Sequence, residues 1–229
     1  MGSMILAGGG NAEKSSGVDK FFLGLLPRRK FLFIPHAMAP KFWSYEKTLE
    51  WVRKPQAFKD VEIVMWRDIE NKTLQDLDEF DAIYLMGGNT FELLYQLRTS
   101  GFLKLIPQFI ASGKLVYGIS AGAYVLGKGI EDRIPPDNED KNARGLKDLS
   151  ALNLLQGYSV HCHYLPVHDE ALFTFNKTVR NPLIAIPEES GVHVDGTSCV
   201  VLGRKPVYLF TNDGTKTEIN PGTNFQISN

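Results

Sequence analysis

Along the first 126 residues, short apolar runs alternate with stretches whose apolar positions recur at helical spacing. Residues 4–7, 30–35, 61–66, 82–86 and 115–119 are apolar runs of strand length. Between them, 18–26, 42–52, 74–77, 91–97 and 103–111 carry helix-like spacing. Pro27 closes the first of these, and Pro107 kinks the last or marks its true start. Near-continuous apolar strands joined by helical crossovers predict an α/β fold, with a mostly parallel sheet and helices on both faces. Beyond residue 126 the texture changes. Residues 131–144 are polar and charged, with Pro135 and Pro136, and read as a surface loop. Residues 146–155 are mixed. Strand patterns at 158–164 and 183–186 flank a helical stretch at 171–179. Short strands at 191–194, 198–202, 207–210 and 217–219 follow, separated by turns such as Asp195-Gly196 and Asp213-Gly214. This tail predicts an antiparallel C-terminal extension. No repeat or low-complexity linker divides the chain, so residues 1–229 are expected to form a single domain.

Composition narrows the class. The chain has 229 residues and a net charge of −1, so no basic field invites nucleic acid. Two cysteines, Cys162 and Cys199, have no metal-type spacing and argue against a disulfide framework. No run reaches the length of a membrane span, and no basic-then-apolar leader opens the chain. A cytoplasmic, enzyme-sized protein with no membrane partner is the expectation.

The most informative stretch is Gly118-Ile-Ser120-Ala-Gly122, at the end of the 115–119 strand and before the small and apolar residues 121–126. Gly-x-Ser-x-Gly between a strand and a helix is the pattern of a nucleophile elbow. The turn is sharp and strained, and neighbours without bulk let it close. It would project the Ser120 hydroxyl beyond the sheet and leave the Ala121 N–H at a helix N-terminus, where an oxyanion is stabilised. Gly8 to Ser15 comes close to a phosphate loop, with Lys14 and Ser15 in register. Glu13, however, stands where the second glycine belongs, so a strand-end turn is the better reading.

A serine hydroxyl needs a base. His161 and His163 lie two apart on one predicted strand, so they should face the same side; the residues alone do not choose between them. His36, His168 and His193 are further histidines. No third ligand at suitable spacing supports a metal site. To orient the base, Glu188 after the 183–186 strand is favoured over Asp132 and Asp137 in the charged loop. The Gly87-Gly88 turn follows another strand end and could supply a second oxyanion donor beside Ala121.

Together these residues resemble the peptidase E and cyanophycinase family of serine peptidases. The likeness is carried by Phe33-Ile-Pro-His-Ala37, the Trp43-Ser-Tyr45 region, Met86-Gly-Gly-Asn-Thr-Phe91, Gly118-Ile-Ser-Ala-Gly-Ala123, His163-Tyr164 and Ile186-Pro-Glu188, in the family's order. The resemblance implies a three-layer α/β sandwich of the class I glutamine-amidotransferase-like (flavodoxin-like) kind, with no metal and no cofactor. It implies a Ser120-His163-Glu188 triad, an oxyanion hole from Gly88 and Ala121, and a short peptide or isopeptide as substrate. Peptidase E cleaves after an N-terminal aspartate and needs a cation for that carboxylate. Arg180 and Arg133 are candidates, and Asn89 is a further candidate substrate contact. His161 stands where relatives tend to carry Asn or Asp. Two other readings compete. A non-catalytic binding module on the same fold would leave His163 or Glu188 misplaced, and an amidotransferase would need a cysteine on the elbow.

Overall fold

The structure is a computed structural model that describes residues 2–131 and 140–228. Its largest element is an eight-stranded sheet in the order β12-β9-β8-β1-β5-β4-β2-β3. The strands β1 (Ser3–Ala7), β2 (Lys30–Ile34), β3 (Glu62–Met65), β4 (Ala82–Leu85) and β5 (Leu115–Ile119) run parallel to one another. β8 (Ser190–Asp195), β9 (Ser198–Gly203) and β12 (Asn224–Gln226) extend the sheet antiparallel from the free edge of β1.

Alternate residues of the parallel strands feed two cores. Phe31, Phe33, Tyr84, Tyr117 and Ile119 point to one face, where α1 (Ser16–Gly24) and α2 (Tyr45–Arg53) lay down Val18, Phe22 and Val52. Leu32, Ile34, Ile83, Leu85 and Val116 point to the other, against α3 (Thr90–Thr99), α4 (Leu105–Ala111) and α5 (Ala121–Tyr124). This is the two-sided burial that near-continuous apolar strands require. Pro107 falls in the first turn of α4, where its missing N–H has no helical partner to lose.

Four predicted strands go elsewhere. β6 (Ser159–Cys162), β7 (Leu183–Ile186), β10 (Val207–Phe210) and β11 (Lys216–Ile219) form a second sheet in the order β11-β10-β7-β6. One face of it, through Val160, Cys162, Ile184 and Ile186, joins the core that holds α5. The other packs Leu183, Ala185 and Phe210 against Leu172 and Phe175 of α6 (Asp169–Val179). The carboxyl ends of β6 and β7 thereby come up beside the carboxyl ends of β1 and β5. The backbone bond from His163 N–H to the Gly8 carbonyl, 3.0 Å, ties the two sheets at that seam.

Candidate active site

Ser120 follows β5 and stands at the N-cap of α5 with φ 50° and ψ −113°, a strained conformation for a residue with a side chain. The elbow glycines make this possible for a steric reason. A Cβ on Gly118 would come within 2.4 Å of the Gly122 carbonyl oxygen, and one on Gly122 within 2.2 Å of the Leu85 carbonyl oxygen. Strand, turn and neighbouring strand close onto one another only without those carbons. The Gly87-Gly88 turn after β4 lies against the serine: a Cβ on Gly87 would be 3.1 Å from the Ser120 Cβ. Gly88 adopts φ +138°, with its α-carbon against the Ala37 backbone. Among the described residues, the N–H groups of Gly88 and Ala121 have no acceptor within the protein.

Ser120 Oγ lies 2.8 Å from His163 Nε2, and His163 Nδ1 lies 3.0 Å from Glu188 Oε1. An ionised carboxylate only accepts hydrogen bonds, so the ring proton on that side belongs on Nδ1. Nε2 is then left as the acceptor for the serine O–H. Burial pushes the Glu188 carboxyl up, but the hydrogen bonds from Lys14 and His163 outweigh it and hold the group below its usual value, hence ionised at neutral pH.

Spacing two apart on one strand would turn both histidines the same way, but the alternation does not reach His163. β6 ends at Cys162, and His163 adopts φ +56° in the left-handed region, which breaks the period of two. His163 turns to Ser120. His161 is buried, with Nδ1 3.4 Å from the Tyr124 hydroxyl and Nε2 3.0 Å from His168 Nδ1. His36 sits buried behind β2, where burial lowers its basicity, and His193 lies on β8 against Phe21.

A cleft of about 480 Å³ opens over Ser120. Met38, Phe42, Trp43, Trp51, Met86 and Ile119 form its apolar wall, and Phe42 is 49 % exposed along it. Asn89 and Asp140 also line it. The Asn89 side chain caps α3 by accepting from the Glu92 N–H, and its amide donates to the Lys141 carbonyl. Asp140 accepts from the Thr90 N–H. Lys41 and Arg144 both pair with the buried Glu92; burial raises its carboxyl, yet Arg144, Gln96 and Lys41 together pull it down to about 2. Arg180 caps the far end of α6, exposed, and does not line the cleft. Arg133, Asp132 and Asp137 lie outside the described residues.

Sequence reasoning does not mark these apolar residues as the wall of a cleft. Its signal was the aromatic run at 42–51, which reads equally well as a core-facing helix. The glycine turn after β1 also does something its sequence does not announce. A Cβ on Gly9 would meet the His163 ring at 2.2 Å, so the turn is bare at the point where the imidazole lies.

Residues 4–202 match peptidase family S51. The chain belongs to that family. It is 32% identical to peptidase E of Shewanella denitrificans over 194 residues, covering 80% of this chain and 78% of the relative. It is 29% identical to a peptidase E of Shewanella baltica over 205 residues, covering 85% and 82%. A peptidase E-like crystal structure from Listeria monocytogenes EGD-e matches with TM-score 0.66 at 25% identity, covering 88% of this chain and 98% of that one. A peptidase from an acI-B1 Actinobacterium shares the fold, with TM-score 0.73 at 19% identity. The S51 chain is thus a serine-type peptidase on a mixed α/β fold with a large, mostly parallel sheet. Among the described residues no helix is long and apolar enough to cross a membrane.

Proposed function

We propose that this S51 peptidase hydrolyses short peptides through an acyl-enzyme on Ser120, with His163 as general base and Glu188 as its orienter. The observation that carries the reading is the unbroken relay of 2.8 Å and 3.0 Å from Ser120 Oγ through the imidazole to Glu188. Ser120 Oγ attacks the peptide carbonyl carbon while its proton passes to His163 Nε2. The carbonyl oxygen, now anionic, is held by the N–H groups of Gly88 and Ala121. The C–N bond breaks as the imidazolium gives its proton to the leaving amine. Water, deprotonated by the same ring, then cleaves the ester and regenerates the serine. A binding module would tolerate a histidine or glutamate out of reach, and neither is.

The wall of the cleft bears on the substrate. Six apolar side chains face it, and among the described lining residues no lysine or arginine is present to pair with an aspartate. The reading that follows is a short peptide, or an isopeptide, whose residue beside the scissile bond is apolar or aromatic. Transfer of such a side chain from water onto the wall favours it by roughly 1.5–3 kcal/mol.

A fluorophosphonate probe should label the wild type and not Ser120→Ala. Equal labelling of the two proteins would remove Ser120 from the role. A dipeptide and isopeptide panel read by released amine should give kcat/KM at least tenfold higher for Phe-X or Leu-X than for Asp-X. A preference for Asp-X would overturn the reading of the wall while leaving that of the relay intact.

A further inference from the structure

The relay does not end at Glu188. Its second oxygen, Oε2, accepts from Lys14 Nζ at 2.5 Å, while Oε1 faces His163. Lys14 is held for that contact by its own turn. The Asn11 side chain accepts from the N–H groups of Glu13 and Lys14 at 3.1 and 3.0 Å, which closes an Asx turn under it. The same turn touches each member of the relay's far end. Gly8 lies against the Pro187 backbone, Gly9 against the His163 ring, and Gly10 against the Cβ atoms of both Glu188 and Lys14. What reads in sequence as a failed phosphate loop is, in the fold, a cradle for the histidine and glutamate.

We infer that Lys14 is a positioning residue of the peptidase reaction, anchoring Oε2 of Glu188 so that Oε1 stays aimed at His163 Nδ1. The inference rests on the Ser120-His163-Glu188 reading. A carboxylate that is 33% exposed would otherwise be free to rotate and take up water, presenting either oxygen to the ring or neither. Lys14 is itself 45% exposed, so its charge is screened and orientation is the larger of its two effects. The charge still acts in a known direction. Apart from burial, which raises the Glu188 carboxyl, the Lys14 hydrogen bond is the foremost influence on it, and it lowers it. The charged groups facing this carboxylate are Lys14 from the turn after β1 and His163 from the end of β6; Glu189, the next residue, acts in turn on Lys14.

The test compares Lys14→Met, which keeps the length of the side chain, with Lys14→Arg, which keeps the charge, using a peptide cleaved by the wild type. Lys14→Met should lower kcat about tenfold, in line with other residues that orient a reacting group through a carboxylate, with KM within twofold. The acid limb of its kcat/KM profile should move to higher pH, because the positive charge that opposes proton uptake by the relay is gone. Lys14→Arg should restore most of kcat and return the limb. Lys14→Met at wild-type kcat with an unmoved limb overturns the proposal. So do two variants equally impaired and equally lowered in Tm, which would mark Lys14 as a folding residue only. If instead Ser120→Ala still turned over the peptide, the relay reading would fail, a result the Lys14 variants cannot mimic.

Discussion

Two glycine turns stand at the carboxyl ends of neighbouring parallel strands, and they use glycine for different ends. The turn after β5 carries the serine. Its glycines, Gly118 and Gly122, are bare because backbone of the same turn and of β4 passes within 2.4 and 2.2 Å of where a Cβ would be. The turn after β1 carries no reacting atom. Gly8 there also meets backbone, at the Pro187 carbonyl, but Gly9 and Gly10 face side chains that belong to the relay. Glycine at the elbow therefore closes the fold, whereas glycine at Gly9 makes room for the His163 imidazole, supplied by the other sheet. Strand-end glycines in one parallel sheet can thus be sorted by what they touch.

The sharpest way to break this distinction is Gly9→Ala. Its Cβ would overlap His163 Cε1 at 2.2 Å, and Gly9 sits at φ +106°. The ring is 42% exposed and can swing outward, so the protein should fold with a penalty of roughly 1–3 kcal/mol from backbone strain. With His163 as the proposed base, its displacement should lower activity on the order of 10³-fold or more. Peptide turnover together with thermal melting reads both quantities. Gly122→Ala should behave the other way round. The Leu85 carbonyl cannot move without disturbing β4, so a stability loss of ~3 kcal/mol or more is expected, seen as a lower denaturant midpoint. A Gly122→Ala protein of wild-type stability would erase the contrast. Gly10→Ala should be milder. Its Cβ contacts, at 3.1 Å, are to the Glu188 and Lys14 side chains, and the position is at φ +94°. A fall of about threefold to tenfold in kcat is expected, by disturbing the same carboxylate that Lys14 steadies.

The two turns differ as much in how far the sequence discloses them. The elbow is legible because everything it needs is local: an apolar strand, a serine, small neighbours and a short helix. The turn after β1 is not, because its neighbours His163 and Glu188 arrive from more than 150 residues away. The same holds for the strands. The apolar runs at 158–164 and 183–186 mark strands, but nothing in them says that they pair with each other and with β10 rather than join the main sheet. β12 is missed because Asn224-Phe225-Gln226 has no apolar alternation; its edge position leaves it partly solvated. The expectation for His161 and His163 fails at one dihedral angle, the left-handed φ of His163, which no pattern of side chains encodes. The resemblance makes Arg180 a candidate partner for an aspartate substrate, but a likeness does not fix where that side chain lies: it caps α6, exposed, and is not among the residues lining the cleft.

The smallest effect tests whether the two turns are mechanically joined. Asp19, buried on α1 just after the first turn, accepts from Ser15 at its own helix start and from the Tyr117 hydroxyl on β5, three residues before the serine. Burial raises its carboxyl from 3.8 to about 6, although both hydrogen bonds oppose the rise. The folded state therefore holds a proton that the unfolded chain has already lost between about pH 4 and pH 6. Stability from this group is present below pH 4 and is lost as pH rises through 6, by ~3 kcal/mol at ~1.4 kcal/mol per pH unit. Asp19→Asn removes the titration but makes a poorer partner for two hydroxyls, costing about 1–2 kcal/mol at every pH. The variant should thus be less stable than the wild type at pH 4 and more stable at pH 8, by about 1 kcal/mol each way, in urea titrations at the two pH values. A difference that keeps one sign across that range would mean that burial against the sheet does not hold the proton on Asp19, and that the link between the turns is packing alone.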